Sequence, residues 1–429
     1  MNKVEPKTLP GFMELFPSEQ LEFNRIKNII TDTYQKYGFY PLDTPVIEYS
    51  EVLLAKAGGE TEKQIYRFNK GDTDLSLRFD LTVPLAKYVS RRYNELVFPF
   101  KRYQIGKVFR GERNQKGRYR EFYQCDIDVI GDEDLSIRYD AEMPSIIYDI
   151  FKSLNIGDFV IRINNRKVLS GFFDSLGLSD KIMDILRTID KIDKIGVKEV
   201  EKELKDLGIK DTKSIIDFIS TKDIDSLSKM CDNDVFNTGI EELKFVLEDL
   251  SQRGIPNTNY ELDVTIARGL DYYTGTVYET ILKDHPDIGS VCSGGRYDNL
   301  AEYYTDKKLP GVGISIGLTR LFYQLMEAGI IKCDSVSSSD IILLPMCEDF
   351  SYVYKVSNEL RDMGYSINIC YLNKGFKQMI RYAERLNNKY AIIIGDDEVN
   401  NNELTIKNLS EYSQEKISLK DLKKYKFML

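Results

Sequence analysis

The chain has 429 residues, 42% of them hydrophobic and 30% charged, with a formal net charge of −9. That length holds two or three ordinary domains. It contains no apolar run of about eighteen residues to cross a membrane, and MNKVEPKTLPGF has neither the apolar core nor the cleavage site of a secretory signal.

Six scattered cysteines (Cys125, Cys231, Cys292, Cys333, Cys347 and Cys370) form no CxxC pair. They point to a reduced, cytosolic setting and away from a disulfide framework or a structural zinc. The one histidine, His285 in the loop-like KDHPDIG, rules out a two-histidine metal site and leaves little room for imidazole catalysis.

In chain order, Pro17 and Ser18 open a predicted helix in which Ile26, Ile29, Ile30, Tyr34 and Tyr37 recur at helical spacing until Gly38. Pro41 and Pro45 bracket an extended piece. Residues 60–84 read as strand-like, ending in LRFDLTVP (77–84) and leading into a helix over 85–92. Residues 102–110 and 121–130 read as two strands joined by the loop 111–120. In the second, Gln124, Asp126 and Asp128 share one face and Cys125, Ile127 and Val129 the other. An acid-bearing sheet face is costly unless it lines a site.

The window 101–120 carries eight Lys or Arg residues and one acid, Glu112, inside an acidic chain. Such an island suits a local phosphate site better than general polyanion affinity, with a solvated basic face as the plainer alternative.

The stretch 167–254 is rich in Lys, Asp and Glu, helical in period, and reads as an inserted helical module. Strands are expected over 260–267 and 276–282. Glycine-rich segments follow at 293–297 and 311–321, the latter passing from strand into helix. The linker 332–340 carries four serines. Beyond it the pattern predicts strand 341–345, helix 350–363, strand 367–371, helix 376–388 and strand 390–394, a small α/β domain. Asn400–Asn402 reads as a short turn.

FRGERNQKGRYREFYQCDIDVIG (109–131) is the most informative segment. Arginines at both ends of a hairpin loop can bracket a polyphosphate, and the neighbouring acids suit an ammonium or a ring N–H. This segment resembles motif 2 of the class II aminoacyl-tRNA synthetases, in the form seen in histidyl-tRNA synthetases. LRFDLTVP is similar to that family's amino-acid-binding strand, and ARGLDYYTGTVYE (267–279) to its histidine signature. SGGRYDNL (293–300) and GVGISIGLTRL (311–321) are similar to its glycine-rich segment and motif 3. The first helix with Pro45 resembles motif 1, the family's dimer interface. These segments stand in the family's order and span nearly the whole chain.

The resemblance implies an α+β protein: a class II catalytic core over 1–166 and 255–330, an antiparallel sheet flanked by helices. It also implies a helical insertion over 167–254 and a C-terminal α/β anticodon-binding domain over 331–429. It implies a histidine–tRNA ligase acting on L-histidine, ATP and tRNA, homodimeric, with Mg²⁺ bound mainly through the ATP phosphates. Arg110 and Glu112 would hold ATP with Arg320 on its γ-phosphate. Arg268 would face the α-phosphate, so that Arg110, Arg268 and Arg320 carry the catalysis.

By the same resemblance, Asp80, Thr82, Arg118 and Gln124 would take histidine's ammonium and carboxylate, and Arg268 would also contact the histidine. Asp128, Tyr272, Tyr273 and Tyr297 would surround its imidazole. Asp80 stands where some bacterial members have Glu. Arg113, Gln115 and Lys116 would approach the tRNA acceptor end, and Asn114 replaces the proline common there. Lys374, Lys377, Arg381 and Arg385 could meet tRNA phosphates or form a solvated helix face. A regulatory paralogue of the same fold, the ATP phosphoribosyltransferase regulatory subunit, is the principal alternative. Such paralogues lack the C-terminal domain. An RNA-binding protein without ATP chemistry is the other.

Overall fold

The computed structural model describes residues 3–55, 60–112, 117, 119–189, 191–266, 273–299, 301–333 and 337–428. The chain divides into two compact units, one of residues 1–14 and 26–331, the other of residues 15–25 and 332–429.

In the larger unit the strands are β1 (Tyr40–Pro41), β2 (Ile47–Tyr49), β3 (Arg67–Lys70), β4 (Thr73–Leu77), β5 (Phe100–Phe109), β6 (Glu121–Ile130), β7 (Phe159–Asn165), β8 (Tyr260–Leu262), β9 (Thr276–Leu282), β10 (Cys292–Tyr297) and β11 (Gly311–Ile316). Among the described residues, eight of them form one sheet in the order β1-β5-β6-β11-β10-β9-β7-β8. Its six central strands are antiparallel, as expected, and only the two outer pairings, β1 with β5 and β7 with β8, are parallel.

The two faces of this sheet follow from the alternation of β6. Cys125, Ile127 and Val129 are fully buried on one side. There Tyr34, in the helix Pro17–Lys36, donates to the Cys125 carbonyl at 3.0 Å and its ring meets Tyr103. Gln124, Asp126 and Asp128 take the other side, which becomes the site.

Several expectations need correction. The stretch 60–84 is not continuous strand: Glu60–Gln64 is helical, and β3 and β4 form a hairpin turned by Gly71 at φ +60°. The next helix starts at Thr82, not 85, because the Asp80 carboxylate accepts from the Val83 N–H and closes its first turn. The strand expected over 260–267 stops at Leu262. There Asp263 folds back to accept from the Thr265 N–H and hydroxyl, a local turn that competes with the ladder.

Within 167–254, the helices Arg166–Ser175 and Asp234–Gln252 pack backbone to backbone. A Cβ on Gly171 would lie 2.6 Å from the Phe236 nitrogen, and one on Gly239 2.8 Å from the Val168 nitrogen.

In the smaller unit β12 (Ile341–Met346), β13 (Ile367–Ile369), β14 (Tyr390–Gly395), β15 (Glu403–Asn408) and β16 (Ser413–Ser418) form a sheet in the order β13-β12-β14-β15-β16. The first three are parallel and the last two antiparallel. Ile341 and Leu343 of β12 pack with the helix Phe350–Asp362, whereas Ile342 and Leu344 pack with the helix Phe376–Arg385. A strand covered on both faces reads as an unbroken apolar run, which is what IILL is. The Asn400–Asn402 turn is instead the end of a short helix, Asp396–Asn401, stopped by Asn402 in the left-handed region at φ +53°. The β15–β16 hairpin after it is an element that the sequence pattern does not announce.

Candidate functional site

Register builds the site. Across β5, β6, β11 and β10 one row runs Arg102, Asp128, Gly313, Gly295, and the next runs Gln104, Asp126, Ser315, Ser293. Above these rows lies a cavity of about 470 Å³. Its wall includes Asp80, Thr82, Arg110, Glu112, Gln124, Asp128, Tyr273, Tyr297 and Arg320. Nine of the residues singled out from sequence therefore converge on one space. Arg113, Gln115, Lys116, Arg118, Arg268 and Tyr272 lie outside the described residues.

At the inner end the carboxylate of Asp128 is held on both oxygens. Oδ1 accepts from the Tyr297 hydroxyl at 2.7 Å, and Oδ2 lies 2.6 Å from Arg102 Nη2. Burial pushes Asp128 above the usual carboxylate range, and Arg102 and Tyr297 pull it back. The glycines opposite are required by this packing. A Cβ on Gly311 would stand 2.3 Å from the Tyr297 ring, and one on Gly313 the same distance from Asp128 Oδ1. The glycines of GVGISIG thus clear space for two polar side chains.

Beside it, Ser315 donates to Asp126 Oδ1 at 2.5 Å and accepts from Gln124 Nε2 at 2.9 Å. Burial raises Asp126 to about 7, against the opposing pull of Arg102 and the Ser315 hydrogen bond. Asp80 is also pushed up by burial, moderated by the Val83 N–H and by Arg110.

The cationic side is equally fixed. The Arg110 guanidinium lies 4.4 Å from the Phe79 ring and 5.0 Å from the Phe122 ring, and Nε donates to the Phe79 carbonyl at 3.2 Å. Aromatic faces orient a guanidinium plane without consuming its outer donors. Arg320 sits in the first turn of the helix Leu318–Glu327, which is tied to β6 by Thr319 accepting from the Tyr123 N–H. Its Nη2 donates to the Ile288 carbonyl at 3.1 Å, as does Gln324 Nε2 at 2.9 Å.

Phe79, Phe122, Ser293 and Ser315 lie inside the quoted motifs without a role read for them and residues 290–292 lie outside, although Phe122 shares the β6 face of Gln124 and is readable from that alternation. The carbonyl of Ile288 leaves no side-chain signal. Arg296 of the glycine-rich segment points to structure: it pairs with the fully buried Asp140 through Nε at 3.1 Å and Nη2 at 2.5 Å.

The helix Phe376–Arg385 carries Lys377, Arg381 and Arg385, with Lys374 just before it; all four are exposed. Among the described residues no helix is long and apolar enough to cross a membrane, and none of their His, Cys, Asp and Glu residues cluster in threes that could hold a metal ion.

The histidyl-tRNA synthetase family model matches residues 11–321, and the anticodon-binding domain model matches residues 340–425. A histidine–tRNA ligase of Clostridium tetani is 56% identical over 427 residues, 97% of each chain. One of Finegoldia magna is 47% identical, covering 98% of this chain and 99% of its own. The crystal structure of a histidyl-tRNA synthetase from Nostoc sp. PCC 7120 superposes with a TM-score of 0.90 at 40% identity, over 98% of this chain and 99% of that one. The chain belongs to the histidyl-tRNA synthetase family of aminoacyl-tRNA ligases.

Proposed function

We propose that the cavity holds L-histidine and ATP together, and that the chain joins them into histidyl-adenylate before passing histidine to the 3′ end of its tRNA. The observation that carries this reading is one cavity with buried carboxylates at its inner end and arginines at its rim. Asp128, Tyr297, Tyr273 and Tyr272 surround the imidazole. Asp80, Thr82, Gln124 and Arg118 take the ammonium and carboxylate. Arg110, Glu112 and Arg320 take ATP, with Arg268 opposite.

The histidine carboxylate attacks the α-phosphorus, the new O–P bond forms, and the bond to the β-phosphate oxygen breaks, releasing pyrophosphate with its electron pair. The attacking group is already ionised at neutral pH, so no base is needed. Preorganised arginines meet charge as it develops. Mg²⁺ enters as part of the nucleotide substrate.

Residues 167–254 form the helical insertion and 331–429 the anticodon-binding domain of this reading, with Arg113, Gln115 and Lys116 at the acceptor end. Six free thiols suit the cytoplasm. Exposed Tyr40, Ile47 and Tyr49 suit a homodimer, which sedimentation would test.

ATP–pyrophosphate exchange tests the whole. Exchange with histidine and no other amino acid is expected. A folded, histidine-binding chain without exchange would instead be the regulatory paralogue.

A further inference from the structure

Arg102 lies near the start of β5, the second strand of the eight-stranded sheet, with 0% exposure. Nη2 contacts Asp128 Oδ2 at 2.6 Å and donates to the Leu81 carbonyl at 3.4 Å. Nε and Nη1 have no hydrogen-bond partner among the described residues. A guanidinium wholly out of water, with two nitrogens unpaired, is expensive. An apolar side chain of similar volume would pack there at lower cost. The position therefore calls for the charge itself.

We infer that Arg102 is a positioning residue that holds Asp128 as an ionised, oriented acceptor and so makes the site select a side chain offering a ring N–H. This rests on the cavity being the histidine site.

The argument is one of acceptor capacity. An ionised carboxylate has about four lone-pair positions, whereas its protonated form gives one of them up to an O–H donor. Arg102 occupies one side of Asp128 and Tyr297 another, which leaves acceptor capacity toward the cavity. Among the described residues, the groups facing Asp128 are Arg102 from β5, Tyr297 from β10, Asp80 from the turn before the helix Thr82–Arg92, and Asp126 two residues along on its own strand; Tyr273 stands behind Tyr297. Of these, Arg102 alone is cationic. Without it, burial and two neighbouring acids would push Asp128 further toward its protonated form. A protonated Asp128 presents an O–H to the substrate, which is the wrong partner for a ring N–H and also frees the Tyr297 hydroxyl to turn.

The test is ATP–pyrophosphate exchange by the full-length chain as a function of pH, with Arg102→Met, Arg102→Lys, Asp128→Asn and the double variant Arg102→Met with Asp128→Asn. Arg102→Met should raise the histidine KM about 10- to 100-fold at pH 7, the worth of a charge-assisted hydrogen bond, and leave the ATP KM unchanged. That KM should fall back toward the wild-type value as pH rises and Asp128 ionises, with a steeper slope than in the wild type. Arg102→Lys should keep most of the affinity and no such slope. In the Asp128→Asn background, Arg102→Met should add little.

Equal rises in both KM values without a pH slope would mark Arg102 as merely structural and overturn the inference. So would a full additional loss in the Asp128→Asn background. If Arg102→Met does not fold, Arg102→Lys and the double variant, which leaves no buried charge alone, still decide it. Asp128→Asn with an unchanged histidine KM would refute the histidine site itself. A large effect of Asp128→Asn with none from Arg102→Met would refute only the role of Arg102.

Discussion

Gly313 faces Asp128 directly across the β6–β11 ladder, and a Cβ at Gly313 would stand 2.3 Å from Asp128 Oδ1 and 2.5 Å from the Ile127 carbonyl oxygen. The smallest change to this backbone thus collides with a buried carboxylate of the cavity. Gly313→Ala is expected to raise the histidine KM at least about tenfold, since one charge-assisted hydrogen bond is lost. The ATP KM should move far less. Isothermal titration with histidine alone checks this, and an unchanged affinity would mean the carboxylate is not a ligand.

Arg110 owes its placement to Phe79 and Phe122. Arg110→Lys keeps the charge but loses the planar fork and the stacking, so exchange should drop about a hundredfold or more. Phe122→Leu keeps the charge and frees its orientation. It should cost a smaller factor, about three- to tenfold, in line with a cation–π contact. Steady-state exchange kinetics on both variants would show whether orientation matters separately from charge.

Asp126 titrates near pH 7 in the folded chain because it is buried, against about 3.9 when unfolded. As pH rises from 4, the unfolded chain ionises this group first. Asp126 therefore withdraws stability up to pH 7, at a slope of up to about 1.4 kcal/mol per pH unit, and none further above it. Asp126→Asn removes that slope. Denaturant melts from pH 4 to 8 should show the variant gaining on wild type with rising pH; parallel profiles would count against it.

The Asp140–Arg296 pair is buried on one side of the sheet and its residues do not line the cavity. Arg296→Met leaves a buried carboxylate alone and should destabilise the chain by about 3–5 kcal/mol. The histidine KM of the protein that remains folded should be unchanged. A shift in KM larger than the loss of stability explains would assign Arg296 to the site.

In the smaller unit, Lys374, Lys377, Arg381 and Arg385 are exposed on and just before one helix. If each meets a tRNA phosphate, replacing one by Gln should lower the log–log salt slope of tRNA binding by about one and leave histidine-dependent exchange untouched. Filter binding at several salt concentrations decides between this and a solvated face.

What sequence makes legible is what periodicity carries. The β6 alternation alone assigns Gln124, Asp126 and Asp128 to one face, and that face lines the cavity. The IILL run and the two helices after it announce the α/β unit. The misses have local causes. Asp263 and Asp80 each bend the chain by accepting backbone N–H bonds, contests that composition does not reveal. The strand-like pattern of residues 60–84 breaks at Gly71. The contacts of Arg102 and Ile288 depend on register and on a carbonyl, neither of which a residue name announces.

The rows Arg102–Asp128–Gly313 and Gln104–Asp126–Ser315 constrain how this chain can change through descent. Inserting or deleting a single codon in β6 or β11 would rotate every later side chain of that strand to the opposite face, exchanging acids for Ile127 and Val129 at a stroke. Length variation can therefore accumulate only in the connections between these strands. Within them, lineages must explore substitution alone.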